Sequence, residues 1–516
     1  MKQRPLIALA ALLLAACGIA HAARAGDATL VKTDAGLISG IAGDVTVYKG
    51  IRFAAPPLGA RRWAAPEPVT PWQGVYAADR YGPACIQAPS ARETSEDCLF
   101  LNVWVPKHRA GEKLPVMVWA YGGGFVNGAA SDARFDGTAL AGRGVVLVSF
   151  NYRLGTLGFF AHPALSAESP DHTSGNYGLL DLFAALQWVQ HNIAAFGGDP
   201  HRVTAFGQSS GAMLISNALV SPRARGLVQQ VILDSGGQFR EYHRRAAAEA
   251  LGAPLALAAL RATDPTRLPT LPSLEGSPFP RPLFVPKMSG PIVDGVVLPM
   301  EQREAFASGR FIKVPALLGN NYDEGSYVTR GYPVRTVAAY LDYLKAPAVF
   351  GAHAAEALQL YPAATDADVP AAIAQGFGDA QYNLGTRGVA RALAGAGQPV
   401  YRYLFTRKAA GSGPGPNHGD EVPYVFNTLA SSPLHYDTTD QRLAAAMADA
   451  WVRFAKTGNP NGGDLPAWPR YRASDDAFLE FGDTIRAGTG FRNAALDFAE
   501  QVQHDAIRPA AVSAAR

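Results

Sequence analysis

The stretch VTAFGQSSGAML, residues 203–214, decides how the chain is read. Its first four residues favour a strand, and the residues after Gly211 favour a helix. Between them Gly207 and Gly211 stand four apart around Ser209. A sharp strand-to-helix turn crowds backbone against backbone, and glycine tolerates that crowding. A serine held at the tip of such a turn is exposed as a nucleophile. The rival reading is a glycine-rich loop, because the chain carries 53 glycines and so short a pattern also arises by chance. Context has to decide.

The 516 residues are 48% hydrophobic and 17% charged, with a net charge of +3. That is the composition of a globular protein with a large core. There is no dense Lys/Arg run, so nothing indicates nucleic acid or an anionic membrane as partner. Lys2 and Arg4 precede an apolar run over 6–16. The run is too short to span a bilayer and fits an export signal. We therefore expect a signal peptide over 1–25 and one domain over 26–516. Ala20-His21-Ala22 offers a cleavage site, and Ala23-Arg24-Ala25 a second. Leu14-Ala15-Ala16-Cys17 is a competing lipobox, which would make Cys17 a lipidated N-terminus and the only route to a membrane. On either reading the mature protein is exported, periplasmic or secreted. Beyond the signal only Cys85 and Cys98 remain, and an even count in an exported chain points to one disulfide rather than two buried thiols. Closing so short a loop contributes about 3 kcal/mol in the chain-entropy model.

Apolar, mostly β-branched runs at 114–120, 145–150, 203–206, 228–233, 314–318 and 401–405 read as strands buried on both faces. Helical spacing appears over 179–196, 212–220 and 443–456, with Gly197-Gly198 and Gly458 as stops. Strands alternating with helices imply an α/β fold with a mostly parallel sheet and helices on both faces. Two regions stand apart. Residues 261–286 are proline-rich and read as a surface excursion, and 334–396 are alanine-rich, helical in pattern, and expected to contribute to a lid.

A serine hydroxyl needs a base, a group that orients the base, and donors for the oxyanion that forms. The strand–turn–helix around Ser209 resembles the nucleophile elbow of α/β-hydrolases, whose partners follow in the order Ser, Asp or Glu, His. Tyr121-Gly122-Gly123-Gly124-Phe125 follows the strand 114–120, where that fold places its oxyanion loop. The N–H of Ser210 supplies a further donor. After 314–318 the chain reads Gly319-Asn320-Asn321-Tyr322-Asp323-Glu324-Gly325-Ser326, with two carboxylates at a strand end. Spacing leaves Asp323 and Glu324 both open. His418 lies in a loop beyond the strand 401–405 and fits the base, with His353 and His435 as alternatives.

Other motifs occur in a fixed order with these. They are Glu96-Asp97-Cys98-Leu99-Phe100-Leu101-Asn102-Val103, Asn151-Tyr152-Arg153, Gly175-Asn176-Tyr177-Gly178, Phe196-Gly197-Gly198-Asp199-Pro200 and His418-Gly419. The set, from about residue 30 to beyond Trp468-Pro469, resembles the type-B carboxylesterases, a family of bacterial esterases, some lipases and the cholinesterases. The resemblance implies an α/β-hydrolase fold and a serine carboxylic-ester hydrolase that needs no cofactor or metal. It implies Ser209, Glu324 and His418 as the catalytic residues, Gly123, Gly124 and Ser210 as the oxyanion hole, and a Cys85–Cys98 bridge. The partner is then a small-molecule ester. An amide or thioester hydrolase with the same triad, and a non-catalytic binding member of the family, are the other readings.

Two departures bear on substrate. Family members usually have Glu before the nucleophile and Ala after it, where this chain has Gln208 and Ser210. Only Ile86 to Asp97 separate the cysteines, with no tryptophan to hold an ammonium group. We therefore expect neutral or anionic esters, not choline esters, in a pocket that includes Tyr121, Phe125 and Gln208. Tyr121 to Phe125 and Gly378-Asp379-Ala380-Gln381-Tyr382-Asn383 also resemble the bacterial fumonisin esterases.

Overall fold

The computed structural model describes residues 29–513 apart from 89–91, 110, 238, 240–241 and 271–289. The expected signal over 1–25 with Cys17, and 271–286 of the proline-rich excursion, lie outside the described residues.

A ten-stranded sheet runs through the molecule. In chain order its strands are β1 (Val45–Arg52), β2 (Phe100–Pro106), β3 (Leu114–Ala120), β4 (Val146–Phe150), β5 (Gly198–Gln208), β6 (Gln230–Asp234), β7 (Ala316–Asn321), β8 (Val400–Phe405), β9 (Phe478–Phe481) and β10 (Ile485–Gly488). Their spatial order is β10-β9-β8-β7-β6-β5-β3-β4-β2-β1. The block from β9 through β4 is parallel, and β10, β2 and β1 join it antiparallel. Every residue of β3, β4, β7 and β8 is buried. Side chains alternate across a strand, so complete burial means that both faces of the sheet are covered.

The covering helices used below are α1 (Tyr177–Asn192), α2 (Ser210–Ala218), α3 (Val369–Gly378), α4 (Leu384–Gly395), α5 (Thr438–Thr457) and α6 (Asn493–Ser513). After α1 one 3-10 turn, Ile193–Phe196, ends at Gly197 with φ 78°, the left-handed stop that the glycine pair led us to expect. α5 starts on an Asp437/Asp440 capping box and ends at Gly458, φ 73°. Aromatic packing ties the C-terminal half to the sheet. Trp119 of β3 lies 4.8 Å from Phe206 of β5 and 4.8 Å from Phe426, just downstream of His418.

Candidate active site

Between β5 and α2 the chain turns at Ser209, with φ 54° and ψ −127°. A non-glycine residue held there stores about 1–3 kcal/mol of backbone strain. Its N–H donates to the carbonyl of Asp234 on β6 at 2.9 Å, and its carbonyl accepts from the N–H of Met213 at 2.8 Å. The two glycines are now explained. A β-carbon on Gly207 would lie 2.7 Å from the carbonyl oxygen of Ala120 on β3, and one on Gly211 would overlap that same carbonyl. The helix start presses on the neighbouring strand so closely that no side chain fits.

Ser209 Oγ lies 2.7 Å from His418 Nε2, and His418 Nδ1 lies 2.5 Å from Glu324 Oε2. The other oxygen of Glu324 is held by donors: Ser235 Oγ at 2.5 Å, the backbone N–H of Asn321 at 2.7 Å and Asn320 Nδ2 at 3.3 Å. Glu324 is 2% exposed. Asp323 faces elsewhere, its carboxylate accepting from the N–H of Ser326 at 3.0 Å and from Ser326 Oγ at 2.5 Å. His353 pairs with Asp505 and His435 is exposed, so neither alternative base is in this cluster.

Three further carboxyls lie near the Ser209–His418–Glu324 cluster. Burial pushes Asp234 up to about 7, with Oδ1 accepting from the Tyr403 hydroxyl at 2.8 Å. Burial first, then the neighbouring Glu324 and Asp234, push Glu421 well above the usual carboxylate range. It accepts from Asn321 Nδ2 at 2.5 Å. Burial also raises Asp420. Sequence reasoning missed Ser235, Asn320, Asn321 and Glu421. Their one available signal was position, since Ser235, Asn320 and Asn321 all sit at the C-terminal ends of parallel strands, where sites collect.

The glycine loop packs on Ser209. A β-carbon on Gly122 would lie 2.9 Å from Ser209 Cβ and 2.6 Å from Gln208 Oε1. Gly123, Gly124 and Phe125 then take positive φ in succession, at 128°, 64° and 66°. Ser210 opens α2, and the first N–H groups of a helix have no intrahelical acceptor. Gln208 Nε2 is 3.3 Å from His418 Nε2. Phe125 is 2% exposed and packs edge-on against Phe159 at 5.3 Å. Tyr121 is fully buried, stacks on Tyr152 at 4.6 Å and accepts the Tyr152 hydroxyl on its carbonyl at 2.9 Å, which anchors the base of the loop within the core.

Over 334–396 the chain is largely helical, and it reaches the site. The ring of Tyr382 stacks on His418 at 4.2 Å, and Tyr327 lies over it at 5.4 Å. The Cys85–Cys98 disulfide is formed. Among the described residues no cluster of three His, Cys, Asp or Glu could hold a metal ion, and no helix is long and apolar enough to cross a membrane.

A model of the carboxylesterase family matches residues 27–499. The chain is 44% identical to the fumonisin B1 esterase of Sphingopyxis macrogoltabida over 496 residues, 93% of this chain and 91% of that protein. It is 34% identical to the acetylcholinesterase of Bungarus fasciatus, over 89% of this chain and 83% of that one. It is likewise 34% identical to carboxylesterase 4A of Bos taurus, over 88% and 90%. Among solved structures, a PNB esterase aligns with a TM-score of 0.79 and 31% identity, covering 91% of this chain and 99% of the other. The fold is that of the α/β-hydrolases.

Proposed function

The chain belongs to the carboxylesterase family and is a carboxylic ester hydrolase, and we propose that it works through an acyl-enzyme on Ser209. One observation carries this: the continuous chain of hydrogen bonds Ser209–His418–Glu324 at the tip of the elbow. His418 takes the Ser209 proton as Oγ attacks the ester carbonyl. Glu324 holds the imidazole with its proton on Nδ1 and stabilises the charge that develops. The N–H groups of Gly123, Gly124 and Ser210 receive the oxyanion. The alcohol leaves with the proton from His418, and water repeats the sequence on the acyl group. Ser209→Ala abolishes hydrolysis while leaving the melting temperature near that of the parent, and an organophosphate labels Ser209 stoichiometrically. Label on another serine, located by peptide mass spectrometry, overturns the assignment. Anilide and thioester analogues of one acyl group, run in parallel, test the amide and thioester alternatives.

For substrate we propose neutral or anionic esters. Gln208 puts an uncharged carboxamide 3.3 Å from the His418 ring nitrogen, where a carboxylate would favour a cation. The residues between Cys85 and Cys98 include no tryptophan. The 44% identical relative is a fumonisin B1 esterase. A missing anion costs a cationic substrate roughly 1–3 kcal/mol in a partly desolvated pocket, about tenfold to a hundredfold in kcat/KM. Butyrylcholine against its neutral isostere 3,3-dimethylbutyl butyrate reads this directly. Gln208→Glu narrows the gap, and a parent enzyme that already prefers the choline ester refutes the reading. The disulfide and the apolar run over 6–16 together support an exported enzyme.

A further inference from the structure

Between α3 and α4 the helix is interrupted by one π turn, Asp379–Asn383. Such turns are rare and frequently mark functional sites. Here the turn presents Tyr382. Its ring lies 4.2 Å from the His418 ring at 28°, close to parallel. Its hydroxyl meets that of Tyr327 at 2.7 Å, and Phe377 packs edge-on against both rings. The same segment touches the acid, since a β-carbon on Gly378 would lie 3.1 Å from Glu324 Cβ.

The turn is clamped from outside the catalytic block. Asp379 is fully buried and accepts from Arg492, with Nε at 2.7 Å on one oxygen and Nη2 at 2.6 Å on the other. Tyr361 Oη and Asn383 Nδ2 complete its shell at 3.0 and 2.9 Å. Arg492 takes φ 56°, a left-handed conformation, and directly precedes α6. Further along, Arg387 of α4 pairs with Asp497 of α6 at 2.7 Å. The C-terminal segment therefore grips the π turn just before Tyr382 and the helix just after it.

We propose that Tyr382 is a positioning residue for His418, and that the Asp379–Arg492 pair holds its ring on the imidazole. The inference rests on His418 being the catalytic base. A flat ring over the imidazole restricts its swing, so Nε2 stays between Ser209 and the departing alcohol. The negative face of the ring also favours the imidazolium that forms in each half-reaction. Among the described residues, the titratable groups set against His418 include Glu324, Asp420 and Tyr327. Glu324 and Asp420 lie on other elements, and the carboxyl on the segment that carries Tyr382, Asp379, is held by Arg492.

The test compares Tyr382→Leu, Tyr382→Phe, Arg492→Met and the double variant Tyr382→Leu/Arg492→Met, using a p-nitrophenyl ester across pH. Phosphonylation of Ser209 counts active sites, and melting temperature monitors folding. Tyr382→Leu lowers kcat about threefold to thirtyfold with KM nearly unchanged. It also moves the acid limb of kcat/KM, because the imidazolium formed in the reaction has lost its aromatic face. Tyr382→Phe keeps the limb in place. Arg492→Met reproduces the leucine effect alone and adds little on the Tyr382→Leu background, as residues acting through one another do. An unmoved limb and parental kcat in Tyr382→Leu overturn the proposal. So does a loss confined to KM, which would make the ring a substrate contact. Full additivity overturns the clamp. A parent enzyme whose Ser209 takes no label defeats the triad instead, which is a separate failure.

Discussion

Replacing Glu324 by Gln puts the acid to its hardest test, because the substitution keeps shape and changes only donor chemistry. One oxygen of Glu324 faces the Asn321 N–H at 2.7 Å, Asn320 Nδ2 at 3.3 Å and Ser235 Oγ at 2.5 Å. The two nitrogens there can only donate. The carboxamide oxygen must therefore occupy that side, and the NH2 group must face His418 Nδ1. An imidazole that accepts at Nδ1 carries its proton on Nε2, pointed at Ser209 Oγ, and cannot receive the serine proton. The wrong tautomer in a serine triad costs about 10⁴ in kcat, about 5.5 kcal/mol. Asp323→Asn is the matched control. Its carbonyl keeps the Ser326 N–H, its NH2 donates to Ser326 Oγ, and that hydroxyl still donates to Asn417 Oδ1 at 3.0 Å. No group is orphaned, so the loss stays near 1 kcal/mol, about fivefold in rate. Active-site titration followed by steady-state hydrolysis of p-nitrophenyl butyrate measures both. If Asp323→Asn proved the more damaging change at equal melting temperature, or Glu324→Gln stayed within about tenfold of the parent, the assignment of the acid would fall.

Gly211→Ala forces a β-carbon onto the Ala120 carbonyl and destabilises by about 1–3 kcal/mol or more. Gly395→Ala, at the end of α4 with open space around it, stabilises by about 0.4–1 kcal/mol; thermal melts that place the two variants in the opposite order contradict the packing at the elbow. Asp234→Asn addresses pH. The folded-state value of Asp234, about 7, lies above its ordinary 3.8, so the folded protein holds the proton more tightly than the unfolded chain. Stability from this group is complete below about pH 4 and is lost as pH rises to about 7, a difference of about 4 kcal/mol. Urea midpoints at pH 5 and pH 8 should therefore differ less in Asp234→Asn than in the parent, and an unchanged pH slope counts against the raised value.

The strands that were readable are those whose runs are mostly apolar. Residues 114–120 form a strand with the expected bounds, and both its faces are covered. For β5 only 203–206 could be read, while the strand runs from Gly198 to Gln208. Asp199-Pro200-His201-Arg202 break the apolar pattern, and the ladder to β3 shifts register between Gly198 and Val203. β1, β2, β9 and β10 were not expected at all. In β1, Lys49, Gly50 and Arg52 interrupt the alternation, and the strand lies at the half-covered edge of the sheet. The surroundings of Tyr121 were hidden for a related reason. Its neighbours are the glycines of the loop, but its ring continues the packing of β3 and meets Tyr152, which lies 31 residues away in sequence. Nothing local distinguishes a ring at a pocket from a ring beneath one. Tyr382 left no trace in the periodicity either, since a π turn within an alanine-rich helix changes the aim of a side chain without changing composition.

The choice between Asp323 and Glu324 shows where a linear reading stops. Both residues follow the same strand end, both are carboxylates, and no spacing rule ranks them. What separates them is direction. Neighbours in an extended segment point to opposite sides, so only one of two adjacent carboxylates can face a histidine arriving from β8. The register decides which one. β7 and β8 pair in step from Ala316↔Val400 to Asn321↔Phe405, and beyond the strands Asp323 bridges to Asn417. The Asp323 N–H donates to the Pro416 carbonyl at 3.3 Å, which draws the histidine loop alongside this segment. Asp323 is thus used to align two loops, with its carboxylate turned onto Ser326, and the next residue is left facing His418 Nδ1. Shifting the β7–β8 ladder by one residue would exchange the two roles. Which carboxylate meets His418 is therefore specified by residues earlier in the two strands, the buried pairs Ala316–Val400 and Leu317–Tyr401 that set that register.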